Sequence, residues 1–305
     1  MKGTVIGLGT MGPGIAATLA HGGLDMTLYD VSPEQLRKAE AEMPTLQAVL
    51  VGIRSGLFRG SLRYEGDLTR ALRDAELVVE AVPERLELKQ QVFRDIERLA
   101  PQGAILASNT SGIPITKLQE GLSHKARLVG MHWSNPPHVI PMVEVIPGAH
   151  TDAAIVERTR KIVADCGLIP VLVQKDVPGF VHNRLLYAIL REALSLVEKG
   201  AVSPKELDKC FKWGLGLKLA VIGPMELLDV AGLDIYEAVA SYLNKDLDNS
   251  AAVPAYVRTR TRDGRLGIKS GKGIYDYTPQ RIAELRASRA KKLVAVRKAM
   301  EQEAS

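Results

Sequence analysis

Residues 4–16 read TVIGLGTMGPGIA. TVIGL is a short run rich in β-branched residues, and GPGIAATLAHGG beyond it has a helical pattern. Gly7, Gly9 and Gly12 therefore form a GxGxxG turn between a strand and a helix, the one context in which that spacing carries weight. Gly7 permits the tight turn, Gly9 lets backbone approach a pyrophosphate, and Gly12 lets helix and sheet pack closely. The helix N-terminus supplies free N–H groups and positive potential for phosphates. The next run, MTLYD (26–30), ends on Asp30. A carboxylate there can hold the adenosine ribose diol and would repel a 2′-phosphate. The expected cofactor is NAD rather than NADP, bound by Gly7, Leu8, Gly9, Thr10, Met11, Gly12 and Asp30. A capping role for Asp30 ahead of the helical SPEQL is the structural alternative.

The same alternation continues outward. ELVVEAV (76–82), GAILAS (103–108), RLVGMHW (127–133) and IPVLVQ (169–174) read as strands, PMVEVI (141–146) as an additional one, with helical stretches such as LKQQVFRDIERLA between most of them. Such βαβ units predict an α/β fold, a Rossmann-type doubly wound, mostly parallel sheet covered on both faces. After Lys175 the pattern changes. Asp176 suits a helix cap and Pro178 a first turn, with a long helix running to Gly200 and only helices thereafter. The expected division is 1–176, an NAD-binding domain, and 177–305, an all-helical C-terminal domain for substrate and dimerisation. The tail RIAELRASRAKKLVAVRKAMEQ reads as a solvated amphipathic helix packed by Leu285, Leu293 and Val296; it has no interleaved aromatics for stacking nucleic acid.

Composition agrees with that frame. The chain has 305 residues, is 46% hydrophobic and carries a net charge of +5. This mild excess suits small anionic molecules and does not by itself indicate nucleic acid. Cys166 and Cys210 are in separate apolar contexts without metal-ligand spacing, so no metal site and a reducing, cytoplasmic setting are expected. The chain enters a strand at once, from which no signal or transit peptide is expected. No segment is apolar enough to span a membrane.

HWSNPPHVIPMVE (132–144) brings chemistry. In a parallel sheet ligands bind at the carboxyl ends of strands. Asp30, Glu84, Ser108 to Ser111 and His132 all stand at such ends, and Asn183 could close the crevice from the second domain. Oxidising an alcohol with NAD requires removal of the hydroxyl proton as hydride leaves carbon. A neutral histidine suits this, with a carboxylate behind it to fix its tautomer. His132 is the expected base and Glu144 its orienter. His138 is the competing histidine, and a metal site from His132, His138 and Glu144 the competing chemistry, made doubtful by the two prolines.

GLGTMGPGIA, VVEAVPE, SNTS, HWSNPPHVIPMVEV, KDVPGFVHNRLL and GIKSGKGIYDY together resemble the L-3-hydroxyacyl-CoA dehydrogenases over nearly the whole chain. The resemblance implies an NAD-binding Rossmann domain, a helical domain that forms a homodimer, and a His-Glu catalytic pair. It places Ser111 and Asn183 against the substrate carbonyl and in support of the histidine, and Glu84, Lys89 and Lys269 along the cofactor or substrate cleft. The chain departs from acyl-CoA-binding members. The segment from Asp30 to Glu84 is shorter, and Arg54, Arg59 and Arg63 do not reproduce a lysine-rich hairpin. SNTSG replaces SNTSS, and HWSNPP replaces HFFNP. The resemblance extends to a vitamin B6-degradation branch. A small anionic substrate is therefore expected, a free carboxylate such as a formylpyridine carboxylate or a 3-hydroxy acid, oxidised at a hydroxyl or hydrated aldehyde. A 3-hydroxyacyl-CoA substrate is the alternative, and a non-catalytic, crystallin-like nucleotide binder the second. The β-hydroxyacid dehydrogenases that share GLGxMG use a helix lysine as base, which PGFVHNRLL lacks.

Overall fold

The computed structural model describes residues 1–53 and 58–302, so Arg54 lies outside the described residues. The chain divides into two compact units, Met1–Arg184 and Leu185–Ser305.

In the first unit the described strands form one eight-stranded sheet. They are β1 (Lys2–Ile6), β2 (Asp25–Tyr29), β3 (Leu62–Glu65), β4 (Leu77–Glu80), β5 (Ile105–Ser108), β6 (Leu128–Trp133), β7 (Met142–Pro147) and β8 (Ile169–Leu172). Their order is β3-β2-β1-β4-β5-β6-β7-β8. Every pairing is parallel except β6 with β7. The chain winds from β1 out to β3, then returns to β4 on the other side. Connections therefore diverge between β1 and β4, which opens a crevice at the carboxyl ends of these strands. Alternate residues of each central strand enter two cores. Val5, Val79, Ala107 and Met131 pack with Ile15, Leu19, Met43 and Val163. Ile6, Val78, Leu106 and Leu128 pack with Phe93, Ile96 and Ile115. A strand buried on both faces needs apolar residues at every position, which explains the unbroken runs in the sequence.

Three features differ from the sequence reading. β3 (LRYE) was not among the expected strands. It is an edge strand, only partly buried, and its two charged residues erase the apolar signature. Asp176 does not cap the long helix. Its carboxylate accepts from the backbone N–H groups of Ile115 and Thr116 at 2.9 and 2.7 Å, capping the helix Ile115–Leu118. The long helix begins later, at His182–Glu198. Between them Gly179 and Phe180 take positive φ of 77 and 51°, a turn that seats the Phe180 ring in the core. Left-handed backbone costs a non-glycine residue roughly 1–2 kcal/mol, and burying a phenyl ring returns about 1.5–3 kcal/mol.

The second unit is helical, with Pro204–Cys210, Pro224–Ala231, Leu233–Leu243, Ala255–Arg262 and Pro279–Gln302 as its main later elements. Ser203 accepts from the Glu206 N–H and Pro204 fills the first turn, a regular helix start. In the tail helix, Leu285 and Leu293 are partly buried, but Val296 is 48% exposed. Arg297 turns inward instead and pairs with Glu301 at 2.8 Å. Among the described residues of this unit, only Ser195, Gly273 and Arg297 are buried, so it has no apolar core of its own. Among the described residues no helix is long and apolar enough to cross a membrane.

Candidate active site

The turn after β1 has the three properties its glycines foretold. Gly7 has φ 95°, and a side chain there would press on the Ala81 backbone at 2.8 Å. A side chain on Gly12 would collide with the Gly7 carbonyl, whereas one on Gly9 would meet open space. The helix Gly12–His21 starts from Met11 without a side-chain cap, so no side chain consumes its first N–H groups. Thr10 is exposed on the turn. Leu8 is buried, and its N–H donates to Asp30 Oδ2 at 2.7 Å. Asp30 Oδ1 accepts from the Ser32 N–H at 2.9 Å, and Ser32, not Asp30, caps the following helix through Gln35. Two bonds leave the Asp30 carboxylate with lone pairs to spare for a ribose diol. Glycine space, uncapped amides and acid together fit a dinucleotide.

The antiparallel register of β6 and β7 sets His132 directly opposite Glu144. Their side chains meet at 2.6 Å, Nδ1 to Oε2, and are only 4% and 1% exposed. Glu144 Oε1 accepts from the backbone N–H groups of Val181 and His182, both at 2.9 Å. Burial pushes the Glu144 carboxyl up, but the hydrogen bonds from His132, His182 and Val181 outweigh it and hold the group below its ordinary value. An ionised carboxylate can only accept. The proton of neutral His132 therefore sits on Nδ1, leaving a lone pair on Nε2. The Phe180 ring lies 5.6 Å from the His132 ring and walls it on one side.

His138 goes elsewhere. Pro137 and His138 pack over Gly14 of the first helix, and the His138 Nδ1 is buried without a partner. Burial holds the His138 pKa below its ordinary value. Among the described residues no cluster of His, Cys, Asp or Glu is placed to hold a metal ion.

The loop after β5 is tied down by Glu84. Its Oε1 accepts from Thr110 Oγ1 at 2.6 Å and from the N–H groups of Ser111 and Gly112 at 2.9 and 3.1 Å. Burial pushes Glu84 up, but Thr110, Lys89 and Ser111 together hold it below the usual carboxylate range. Asn183 donates through Nδ2 to the Ser111 carbonyl at 2.6 Å, so the structure brings these two predicted residues together. Among the described residues neither hydrogen-bonds to His132. Lys89 was expected along a cleft. It is buried instead, with Nζ 2.7 Å from Glu80 Oε1 and 3.3 Å from Glu84 Oε2. Ser108 donates to the other Glu80 oxygen at 2.6 Å. Lys269 belongs to the second unit, in the turn Ile268–Ser270.

Asn109, at an expected strand end, accepts from the Trp133 N–H at 2.9 Å and locks β6 to the loop. Sequence reasoning missed two residues that build the site. Glu80 anchors Lys89 from inside an apolar run, where a strand's period cannot show that an acid is buried. His182 places its ring 6.2 Å from that of His132. The signal for His182 was present, a second histidine in the same motif as Asn183.

Comparison with known proteins follows the same division. Residues 2–177 match the family model described as 3-hydroxyacyl-CoA dehydrogenase, NAD binding domain, and residues 179–277 match its C-terminal domain. A 5-formyl-3-hydroxy-2-methylpyridine 4-carboxylate 5-dehydrogenase of Mesorhizobium japonicum is 51% identical over 97% of this chain and 97% of its own. A probable 3-hydroxybutyryl-CoA dehydrogenase of Bacillus subtilis is 35% identical over 90% of this chain and 96% of its own. Among solved structures, a 5-formyl-3-hydroxy-2-methylpyridine 4-carboxylic acid 5-dehydrogenase, described as an NAD+ dependent dismutase, superposes with a TM-score of 0.96. It shares 50% identity, with 98% of each chain covered.

Proposed function

This chain belongs to the 3-hydroxyacyl-CoA dehydrogenase family and is an NAD-dependent dehydrogenase, and from that premise we propose that it oxidises the hydrated aldehyde of a small aromatic carboxylate, a formylpyridine carboxylate. The observation that carries this reading is the buried His132–Glu144 pair, 2.6 Å apart, in a chain 51% identical to a formylpyridine carboxylate dehydrogenase.

The glycine turn and Asp30 are the residues that would hold NAD, which when bound would supply the hydride acceptor. The protein's own part is proton transfer and placement. An aldehyde hydrate is a geminal diol. His132 Nε2 takes the proton of one hydroxyl as hydride leaves carbon, and the C–O bond becomes the carbonyl of a carboxylic acid. Glu144 steadies the imidazolium that results. Ser111 and Asn183 hold the substrate oxygen. Run backwards on the unhydrated aldehyde, His132 returns the proton and the product is an alcohol. One pair of residues thus serves both halves of a dismutation, in keeping with the description of the solved relative. Glu84 and Lys89 act through the Ser111 turn.

Residues 1–176 carry the cofactor and the base in this reading. Residues 177–305 complete the substrate site and form a homodimer. The absence of a buried apolar core among the described residues of Leu185–Ser305 supports the dimer. So do the exposed Trp213, Val221, Met225 and Val230, because an uncovered apolar helical unit is unstable alone. A cytoplasmic site of action fits a chain with two cysteines and no metal-ligand spacing between them.

NADH formation, followed optically with the formylpyridine carboxylate and with 3-hydroxybutyryl-CoA side by side, tests the substrate. Higher kcat/KM on the carboxylate is expected. Preference for the thioester would assign the chain to acyl-CoA oxidation instead.

A further inference from the structure

Ser134, at the start of the proline loop, and His182, at the start of the helix His182–Glu198, are far apart in sequence but meet beside the base. Ser134 Oγ lies 3.5 Å from His182 Nε2, at the outer limit of a hydrogen bond. The His182 ring stands edge-on to that of His132, their centroids 6.2 Å apart. The His182 backbone N–H is already spent on Glu144, which fixes the position of its Cα while the ring stays partly exposed. Among the described residues, no other side-chain hydrogen bond involves the Ser134 hydroxyl or the His182 ring. So next to the buried His132, whose Nδ1 is taken by Glu144, lies a second histidine with donor capacity unspent.

An anionic substrate needs such donors. The nearby ammonium of Lys89 is buried and already bound by Glu80 and Glu84. Beside the base stand the Ser134 hydroxyl and the His182 ring, which together offer an O–H and an N–H 3.5 Å apart. We infer that Ser134 and His182 form the substrate-selecting pair, receiving the carboxylate that neighbours the reacting carbon and setting that carbon over His132. This rests on the reading of a free carboxylate substrate given above. It makes the long Ser134–His182 contact a closed form of a two-donor clamp, opened when a carboxylate bridges it. The His182 ring N–H would donate to one carboxylate oxygen, a charge-assisted bond, and Ser134 would fix the plane of the carboxylate.

The test compares the formylpyridine carboxylate with the same aldehyde lacking its carboxylate, in wild type, His182→Gln, Ser134→Ala and the double variant. The expected result is that the ratio of kcat/KM for the carboxylate over the analogue falls about tenfold or more in His182→Gln. The loss should appear mainly in KM, and a smaller loss is expected in Ser134→Ala. The double variant should lose less than the product of the single losses, because both act on one group. Thermal melts and NADH fluorescence confirm folding and cofactor binding. Should His182→Gln not fold, Ser134→Ala carries the test, since it leaves both prolines of the loop. A ratio unchanged in folded variants, or an equal loss on both substrates, overturns the pair's role while leaving the enzyme's substrate class intact. A wild type inert on the carboxylate would overturn both.

Discussion

At the scale of single residues, Asp30 and Lys89 show how one carboxylate selects a ligand and another confines a cation. Asp30 is held by the Leu8 and Ser32 amides. Asp30→Asn removes the charge and leaves one oxygen where two amides donate. The NAD over NADP preference in kcat/KM is expected to fall about tenfold, the worth of a hydrogen bond to a charged group. An unchanged preference would remove Asp30 from the cofactor site. Lys89 neutralises Glu80 where neither touches water. Lys89→Ala leaves that acid buried without its counter-charge, a loss of about 3–5 kcal/mol of stability at neutral pH. Burial already pushes the Glu80 carboxyl up despite Lys89. A group raised in the folded state stabilises it below the unfolded pKa and loses that contribution as pH rises. The variant's deficit, read by urea unfolding, should therefore shrink as pH is lowered toward the ordinary carboxylate range. A deficit that is small and flat with pH would mean that the pair contributes little.

At the scale of elements, the short helix Ile115–Leu118 depends on an acid far along the chain. Asp176→Ala removes both acceptors at its N-terminus and should cost roughly 1–2 kcal/mol, seen as a lower urea midpoint. No change would mean that water satisfies those amides equally well. This cap also marks what a sequence can and cannot show. Asp176 reads correctly as a helix cap, but its helix lies upstream, because capping partners are chosen in space. The Gly179–Phe180 turn that separates Asp176 from His182 leaves no local signal beyond one glycine. Seven strands were legible because each is an apolar run between turns, even β8, which is mostly exposed. The edge strand LRYE was not, since its two charged residues break the apolar run. His132 and Glu144 were legible as a pair because each stands in a strand of known direction. Their antiparallel register, unlike the rest of the sheet, is what sets them opposite each other. Glu80 was hidden by the same apolar run that revealed its strand.

At the scale of the whole molecule, two units divide the work, and the helical one lacks a core of its own among the described residues. A homodimer is expected by light scattering at micromolar concentration, with a melting temperature that rises with protein concentration. A monomer with a concentration-independent melt would contradict it. The proposed reaction rests on proton removal by His132 with Glu144 behind it. Turnover against pH for wild type, His132→Ala and Glu144→Gln tests that most directly, with melts as the folding control. In the oxidative direction the wild-type rate should climb with pH, as general-base catalysis requires. His132→Ala should lower turnover by about 10²–10⁴. Glu144→Gln should turn over more slowly, and its climb should begin at lower pH, because the charge that stabilised the imidazolium is gone. A folded Glu144→Gln enzyme with the wild-type profile, or His132→Ala turning over near the wild-type rate, would contradict the assignment of this pair as base and orienter.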